Sequence, residues 1–213
     1  MALAFTATKG KAVKKSFDAF EYKDGENTVR LVGGILPRYV YWLKGTNGKD
    51  IPVECLAFDR EAEKFNNKEH DHVPEYMSDK KCSWSYSVNC IDLKDGKVKI
   101  LNLKKKLFEQ ICSAAEDLGD PTDVDTGWDV VFKRVKTGPL PFNVEYTLSV
   151  LRCKKRALTE AEKGAVEVAE SIDVKYPRQT ADEVKATLDR ITTGAAAEEE
   201  SATDAEAVSD LSA

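Results

Sequence analysis

Apolar residues first recur along this chain in short alternating runs broken by glycine, proline and asparagine, and the spacing later lengthens to three and four residues. Residues 28–36 read as a first strand, in which Gly33-Gly34 marks a bulge or bend. Residues 38–43 follow Pro37 as a second strand and residues 51–56 as a third. The link between these two, Gly45-Thr46-Asn47-Gly48, is a hairpin turn signal. Residues 59–81 are polar and irregular and read as a long insertion. From 83 to 91 the alternation is clean. Trp84, Tyr86, Val88 and Cys90 share one face; Ser83, Ser85, Ser87 and Asn89 share the other. Asp95-Gly96 turns this run into a strand over 97–101.

The period then changes. Leu103, Leu107, Ile111, Ala115 and Leu118 define a helix that Gly119 and Pro121 terminate. Residues 128–136 and 143–152 return to strand patterning, joined through Gly138-Pro139-Leu140-Pro141. Thr159 with Glu162, and Thr180 with Glu183, are capping boxes. Each opens a helix of roughly twelve residues, the second ending at Gly194. Six or seven short strands with one helix set among them fit a small, partly open β-barrel better than a parallel sheet. The expected fold is therefore mainly β (α+β): a five-stranded, partly open oligonucleotide-binding (OB) barrel with an inserted helix and C-terminal helices. Its expected limits are a flexible basic arm over 1–16 (Lys9, Lys11, Lys14, Lys15), the barrel over 17–157, helices packed on it over 158–193 and a disordered acidic tail over 194–213.

Charge sharpens this picture. The 213 residues hold 32 bases and 37 acids, a net −5. Six of the acids (Glu198, Glu199, Glu200, Asp204, Glu206, Asp210) lie in the tail with no base among them. Setting those six aside leaves 32 bases against 31 acids in the body. Within the body the signs are sorted. Residues 94–106 hold Lys94, Lys97, Lys99, Lys104, Lys105 and Lys106 against Asp95 alone. Residues 133–156 hold Lys133, Arg134, Lys136, Arg152, Lys154, Lys155 and Arg156 against Glu145 alone, while 107–129 hold seven acids and no base. Such sorting predicts basic and acidic faces. No run is long and apolar enough for a membrane span. The N-terminus places its lysines after its apolar residues, the reverse of a secretory signal, so no export is expected. Five cysteines without a CxxC pair fit a reduced, intracellular protein with buried thiols.

Basic strands with interleaved rings suit single-stranded nucleic acid, which offers phosphates to cations and unstacked bases to aromatic faces. The aromatic candidates are Tyr39, Tyr41, Trp42, Trp84, Tyr86 and Phe132, with Arg38 beside the first two. Lys104, Lys105 and Lys106 open a helix, where lysines oppose the dipole unless an anion compensates. His70, His72, Cys55 and Cys82 would suit zinc chemically but lack the close cysteine pair of a strong site. Glu75 with Asp92-Leu93-Lys94 half-matches a magnesium nuclease pattern that recurs by chance. There is no P-loop and no nucleophile elbow. No metal, no cofactor and no enzymatic activity are expected.

Lys80-Lys81-Cys82-Ser83-Trp84-Ser85-Tyr86-Ser87-Val88-Asn89, then Gly96-Lys97-Val98, then Lys104-Lys105-Lys106-Leu107-Phe108-Glu109-Gln110-Ile111, resembles the single-stranded-DNA-binding, helix-destabilising proteins of tailed bacteriophages. The resemblance runs over about 27–150 in motif order. It implies base contact by Tyr86 and phosphate contact by Lys104, Lys105, Lys133, Arg134 and Lys136. Arg38, Tyr39, Tyr41, Trp84, Lys99, Lys106 and Arg152 join the candidates from the strand and charge pattern alone. The resemblance also implies coating of unpaired DNA during phage replication, recombination and repair in the cytoplasm of the infected bacterial host. The acidic tail would then serve autoinhibition and the docking of replication or recombination proteins. The best-known family members carry a zinc module before the Tyr-x-x-Asn strand. Here 59–81 lacks the paired cysteines, which implies that the module is absent or replaced by a loop. Lys14-Lys15-Ser16 matches the family's cooperativity motif only loosely, and self-association on DNA is left open. The rivals are a phage interaction or structural protein whose barrel binds protein and, more weakly, the nuclease.

Overall fold

The structure, a computed structural model, describes residues 18–140 and 143–194. The basic arm and the acidic tail beyond Gly194 lie outside the described residues. The order of elements is β1 (Gly25–Leu36), β2 (Tyr39–Lys44), β3 (Asp50–Glu54), β4 (Phe58–Asp59), β5 (Lys64–Phe65), α1 (Val73–Tyr76), β6 (Ser83–Trp84), β7 (Ser87–Asp92), β8 (Lys97–Asn102), α2 (Lys105–Leu118), β9 (Asp129–Lys136), β10 (Val144–Leu148), α3 (Glu160–Glu167), α4 (Ile172–Lys175) and α5 (Ala181–Thr193). Five strands form one antiparallel sheet in the order β10-β9-β1-β7-β8. A second sheet has the order β3-β2-β6, and β4 pairs with β5.

Alternation along the strands sets the inner face of the large sheet. Val29 and Leu31 of β1, Val88 and Cys90 of β7, Leu101 of β8, Val130 and Phe132 of β9, and Tyr146 and Leu148 of β10 enter one core. Helix α2 fills that core with Leu107, Ile111 and Ala114, at spacings of four and three. Burying each large aliphatic side chain there is worth about 1.5–3 kcal/mol. At Gly33-Gly34 the register with β7 shifts between Val32 and Ile35, and Gly33 takes φ +72°, a left-handed backbone that glycine adopts freely. The bulge expected there is present. The chain then leaves the sheet at Pro37 to start β2.

The large sheet does not close, because β8 and β10 do not pair with each other. Each edge is covered by something other than a strand of the sheet. Along β8, Ile100 N–H donates to Asp18 O (2.9 Å) and Phe20 N–H donates to Ile100 O (2.8 Å). Along β10, the Gln110 amide of α2 donates to Tyr146 O (3.1 Å) and accepts from Leu148 N–H (2.8 Å), so one side chain stands in for a neighbouring strand. Tyr22 spans the seam. Its hydroxyl donates to Asn102 O of β8 (2.7 Å), and its ring lies 5.1 Å from that of Tyr146 on β10. The architecture is thus mixed α+β and mainly antiparallel, but the described residues form no closed barrel.

The polar face of β7 is buried throughout. The C-terminal segment covers it. Leu158 packs on Val32 and Ile91, Ile172 packs on Leu36 and Ile100, and Asn89 Nδ2 donates to Glu170 O (3.0 Å). Arg156 fixes the start of α3, with Nε to Asp129 at 2.8 Å and its two terminal nitrogens to Glu162 at 2.7 and 2.8 Å. The Arg156 hydrogen bond holds the Glu162 carboxyl down at about 2, against the opposing effect of burial. The capping boxes at Thr159 and Thr180 both form. Helix α3 is eight residues long, shorter than expected, and the four-residue α4 was not anticipated. Strand β10 stops at Leu148, short of the expected 152, because a 3-10 turn occupies Val150–Arg152. The insertion 59–81 holds β5 and α1. Its Val73 joins Leu43, Val53 and Leu56 in a second core that Val184 and Leu188 of α5 complete. A polar insertion could acquire order here because a distant helix supplies its apolar partner.

Replacing Gln110 with Leu should leave Leu148 N–H and Tyr146 O without that side-chain partner and cost about 1–3 kcal/mol, read as a lower midpoint in urea unfolding. Glu162→Gln keeps the capping geometry but loses the charge. A depressed carboxyl stabilises the fold above its unfolded value and loses that contribution as pH falls through its folded value. Wild-type stability should therefore exceed that of Glu162→Gln at neutral pH, and acid melts should show the gap closing between about pH 4.5 and 2.

Candidate nucleic-acid interface

Beside the seam between β8 and β10, β9 changes character. Val130 and Phe132 point into the core, and continued alternation brings Arg134 and Lys136 onto the same face beyond its edge. Arg134 lies opposite Tyr146 in the β9–β10 register, and its Nε donates to the Tyr146 hydroxyl (3.3 Å). Asp24 pairs with Arg134 and lies 3.6 Å from Lys136 Nζ. Lys104 Nζ sits 5.4 Å from the centre of the Tyr22 ring and 6.0 Å from that of Tyr146. One mouth thus holds two tyrosines and three cations, drawn from the N-terminal segment, the β8–α2 junction, β9 and β10.

The junction carries this mouth towards a second cluster. Lys104 is the N-cap of α2 without a side-chain cap, and no acid lies in the first turn. Lys105 and Lys106 are exposed there, so the helix's positive end and two solvated ammonium groups coincide. Immediately before, Leu103 O accepts from Trp84 Nε1 (3.1 Å). The Trp84 ring stacks on Tyr86 at 3.5 Å and 13° and lies 5.6 Å from Phe108. Tyr39 meets Trp84 edge-on at 6.3 Å and Phe65 at 4.9 Å. Tyr39, Trp84 and Phe108 are half-buried and Phe65 is 50% exposed, so this ring cluster reaches the surface. Tyr86 lies beneath it, only 4% exposed, and burial pushes its hydroxyl up to about 12.

Of the residues singled out in the sequence, Tyr39, Trp84, Lys104, Lys105, Lys106, Arg134 and Lys136 come together along this ridge, with Tyr86 as its underside. The others stand apart. Arg38 is buried with its guanidinium 4.1 Å over the Tyr176 ring. Tyr41 is buried and donates to Asp71 Oδ2 (2.6 Å). Lys99 is held by Asp92 and Asp95, each at 2.8 Å. Lys133 alternates onto the opposite face of β9, and Arg152 pairs with Glu26, which lies opposite Lys133 in the sheet. Trp42 is half-buried on β2, away from the ridge rings, and Phe132 is core. The tail acids Glu198, Glu199, Glu200, Asp204, Glu206 and Asp210 lie outside the described residues.

Sequence reasoning missed Tyr22, Phe65, Phe108 and Tyr146. Tyr146 was within reach, since it alternates with Val144 and Leu148 on a strand facing the basic one. Tyr22 and Phe65 lie in stretches without periodicity.

The histidines do come together, but not with the cysteines. Donor atoms of His70, His72 and Glu75 all lie within 4.8 Å of one another and could hold a metal ion. Cys55 instead donates to Asp71 Oδ2 (3.2 Å), and its interaction with the neighbouring Cys82 pushes the Cys55 thiol above its ordinary range and draws that of Cys82 below it. All five cysteines are free thiols. Among the described residues no helix is long and apolar enough to cross a membrane.

Over 139 residues the chain is 33% identical to a curated protein of Escherichia phage T5 named as a probable ssDNA-binding protein. The match covers 59% of this chain and 54% of the phage protein, so the chain spans about half the length of the curated relative it matches. No family model matches the chain. No solved structure matches it.

Proposed function

We propose that this chain binds single-stranded DNA along the ridge that runs from Arg134 and Lys136, past Tyr22, Tyr146 and Lys104–Lys106, to the Trp84 ring cluster. The observation that carries the reading is the continuity of cations and rings across elements far apart in the chain, from β9 and β10 through the β8–α2 junction to β6. Phosphates would follow the ammonium and guanidinium groups, and bases would lie on the exposed ring faces with little regard to sequence. The name of the phage T5 relative, and the resemblance in the sequence, point the same way.

The fold reading that accompanies this is an OB-type, partly open barrel. Counting only strands of the large sheet, β9-β1-β7-β8 has the 4-1-2-3 order of a Greek key, and α2 lies between the third and fourth strands. Both features support an OB barrel opened at the β8–β10 seam. In this reading the protein is not an enzyme. It coats unpaired DNA in phage replication, recombination and repair, in the cytoplasm of the infected host. Its acidic tail competes with DNA for the ridge and docks replication or recombination proteins.

Fluorescence anisotropy with a labelled oligothymidine should show saturable binding that a duplex of equal length does not. Log affinity should fall with log salt by about 0.7 for each phosphate contacted. Phe65→Leu, at the exposed ring of the cluster, should weaken binding about tenfold or more, as loss of one stacking platform implies. Lys105→Ala with Lys106→Ala should flatten the salt slope by about 1 to 1.5. Arg152→Ala, on the far side of the sheet, should change little. Equal losses from Arg152→Ala and from the lysine pair would sink the assignment of the ridge.

A further inference from the structure

On the other side of β2 from the ring cluster lies a cavity of about 410 Å³ that the ridge does not use. Four cations reach its wall: Arg38, Lys175, Arg178 and Arg190. Two carboxylates line it, Glu54 and Glu183, and both are already engaged. Glu54, 3% exposed, accepts a fork from Arg60 at 2.7 and 2.7 Å and a further bond from Arg178 at 3.3 Å. Glu183 closes the capping box of α5, accepting from Thr180 N–H at 2.7 Å. Arg178 is tied to Glu54, to Glu69 and to the carbonyls of Leu56 and Phe58.

The other three cations arrive from the β1–β2 link, from α4 and from α5, each with a partner at its head group. Arg38 is 7% exposed, with its guanidinium carbon 4.1 Å from the centre of the Tyr176 ring and Nη2 donating to Ser85 Oγ (3.4 Å). Lys175 Nζ donates to Asn89 Oδ1 (3.1 Å), and Arg190 Nη2 donates to Thr187 Oγ1 (3.1 Å). Two planar forks and an ammonium group converging on one space suit the several oxygens of a phosphate group better than a single carboxylate. Burial lowers the Lys175 ammonium from its ordinary range, against the raising effect of the Glu170 carboxylate. The volume falls within the range of small-molecule pockets, about 300–1,000 Å³, and far exceeds what a phosphate alone fills. Val40, Pro52 and Pro177 give the remaining wall an apolar side for a sugar or base.

We propose that this cavity binds the phosphate group of a nucleotide-sized ester, either a free mononucleotide or the 5′-phosphorylated end of a strand. The site is separate from the ridge and does not depend on the ridge's binding DNA.

Calorimetric titration of the full chain at constant ionic strength should give saturable binding of thymidine 5′-monophosphate and none of thymidine. Lys175→Gln with Arg190→Gln should weaken that binding by about tenfold or more per lost charge-assisted bond. Ala186→Glu, on an exposed position of α5 at the cavity wall, should do the same by repulsion without disturbing the core. Neither change should alter the affinity of an oligothymidine lacking a 5′-phosphate, which keeps this test apart from that of the ridge. A 5′-phosphorylated dinucleotide that binds more tightly than the monophosphate would identify a strand end as the natural source; preference for the monophosphate would identify a free nucleotide. The proposal is overturned by equal binding of thymidine and its monophosphate, or by no saturable binding. Binding indifferent to both variants would overturn it too, as would capture of a peptide of residues 195–213 in place of the phosphate.

Discussion

A β-sheet whose two edges do not meet leaves two rows of backbone donors and acceptors, and each must find a partner or water. In this protein neither edge is satisfied by a strand of the sheet. Residues 18–20 run along β8, and the single amide of Gln110 serves both a donor and an acceptor on β10. The consequences reach well past stability. The edges are covered by a segment and a side chain, and the seam between them is not closed by strand pairing. Tyr22 is drawn across it between Asn102 and Tyr146. The mouth that gathers Lys104, Arg134 and Lys136 exists because the sheet stops short of closure there.

The same alternation that builds the core delivers the cations. On β9 the residues at 130 and 132 are apolar and those at 134 and 136 are basic, all on one face. The strand therefore passes from the core to the mouth without changing its geometry. Lys133, one residue away, is on the other face, where Glu26 and Arg152 lie. A run of basic residues on a strand is two half-runs on opposite surfaces, and only one of them meets the rings.

This explains how far the sequence could be read. The capping boxes, the Gly33-Gly34 bulge, the Gly45–Gly48 hairpin and the α2 period are local signals, and each formed where the residues indicated. The burial of the serine and asparagine face of β7 was not to be had from local pattern, because Leu158 and Ile172, far along the chain, cover it. Lys99 and Arg152 looked available by composition, yet Lys99 is held between Asp92 and Asp95, and Arg152 lies beside Glu26 on the side of the sheet away from the rings, placements that only the fold creates. Tyr22 lies in a segment with no period at all; its place is fixed by an edge elsewhere that needed covering.

Tyr86 shows why a resemblance transfers a position more safely than a role. Its ring is covered by Trp84 at 3.5 Å and flanked by Phe108, so no face remains for a base in this arrangement. What it does instead is hold Trp84 in place. A ring already stacked on Tyr86 and anchored by Nε1 to Leu103 O would have little rotamer freedom left to lose if a base stacked on it. Rigid, half-exposed rings beside solvated lysines make a better platform for unpaired bases than a lone exposed tyrosine would, because the ordering cost has been met by folding rather than by binding.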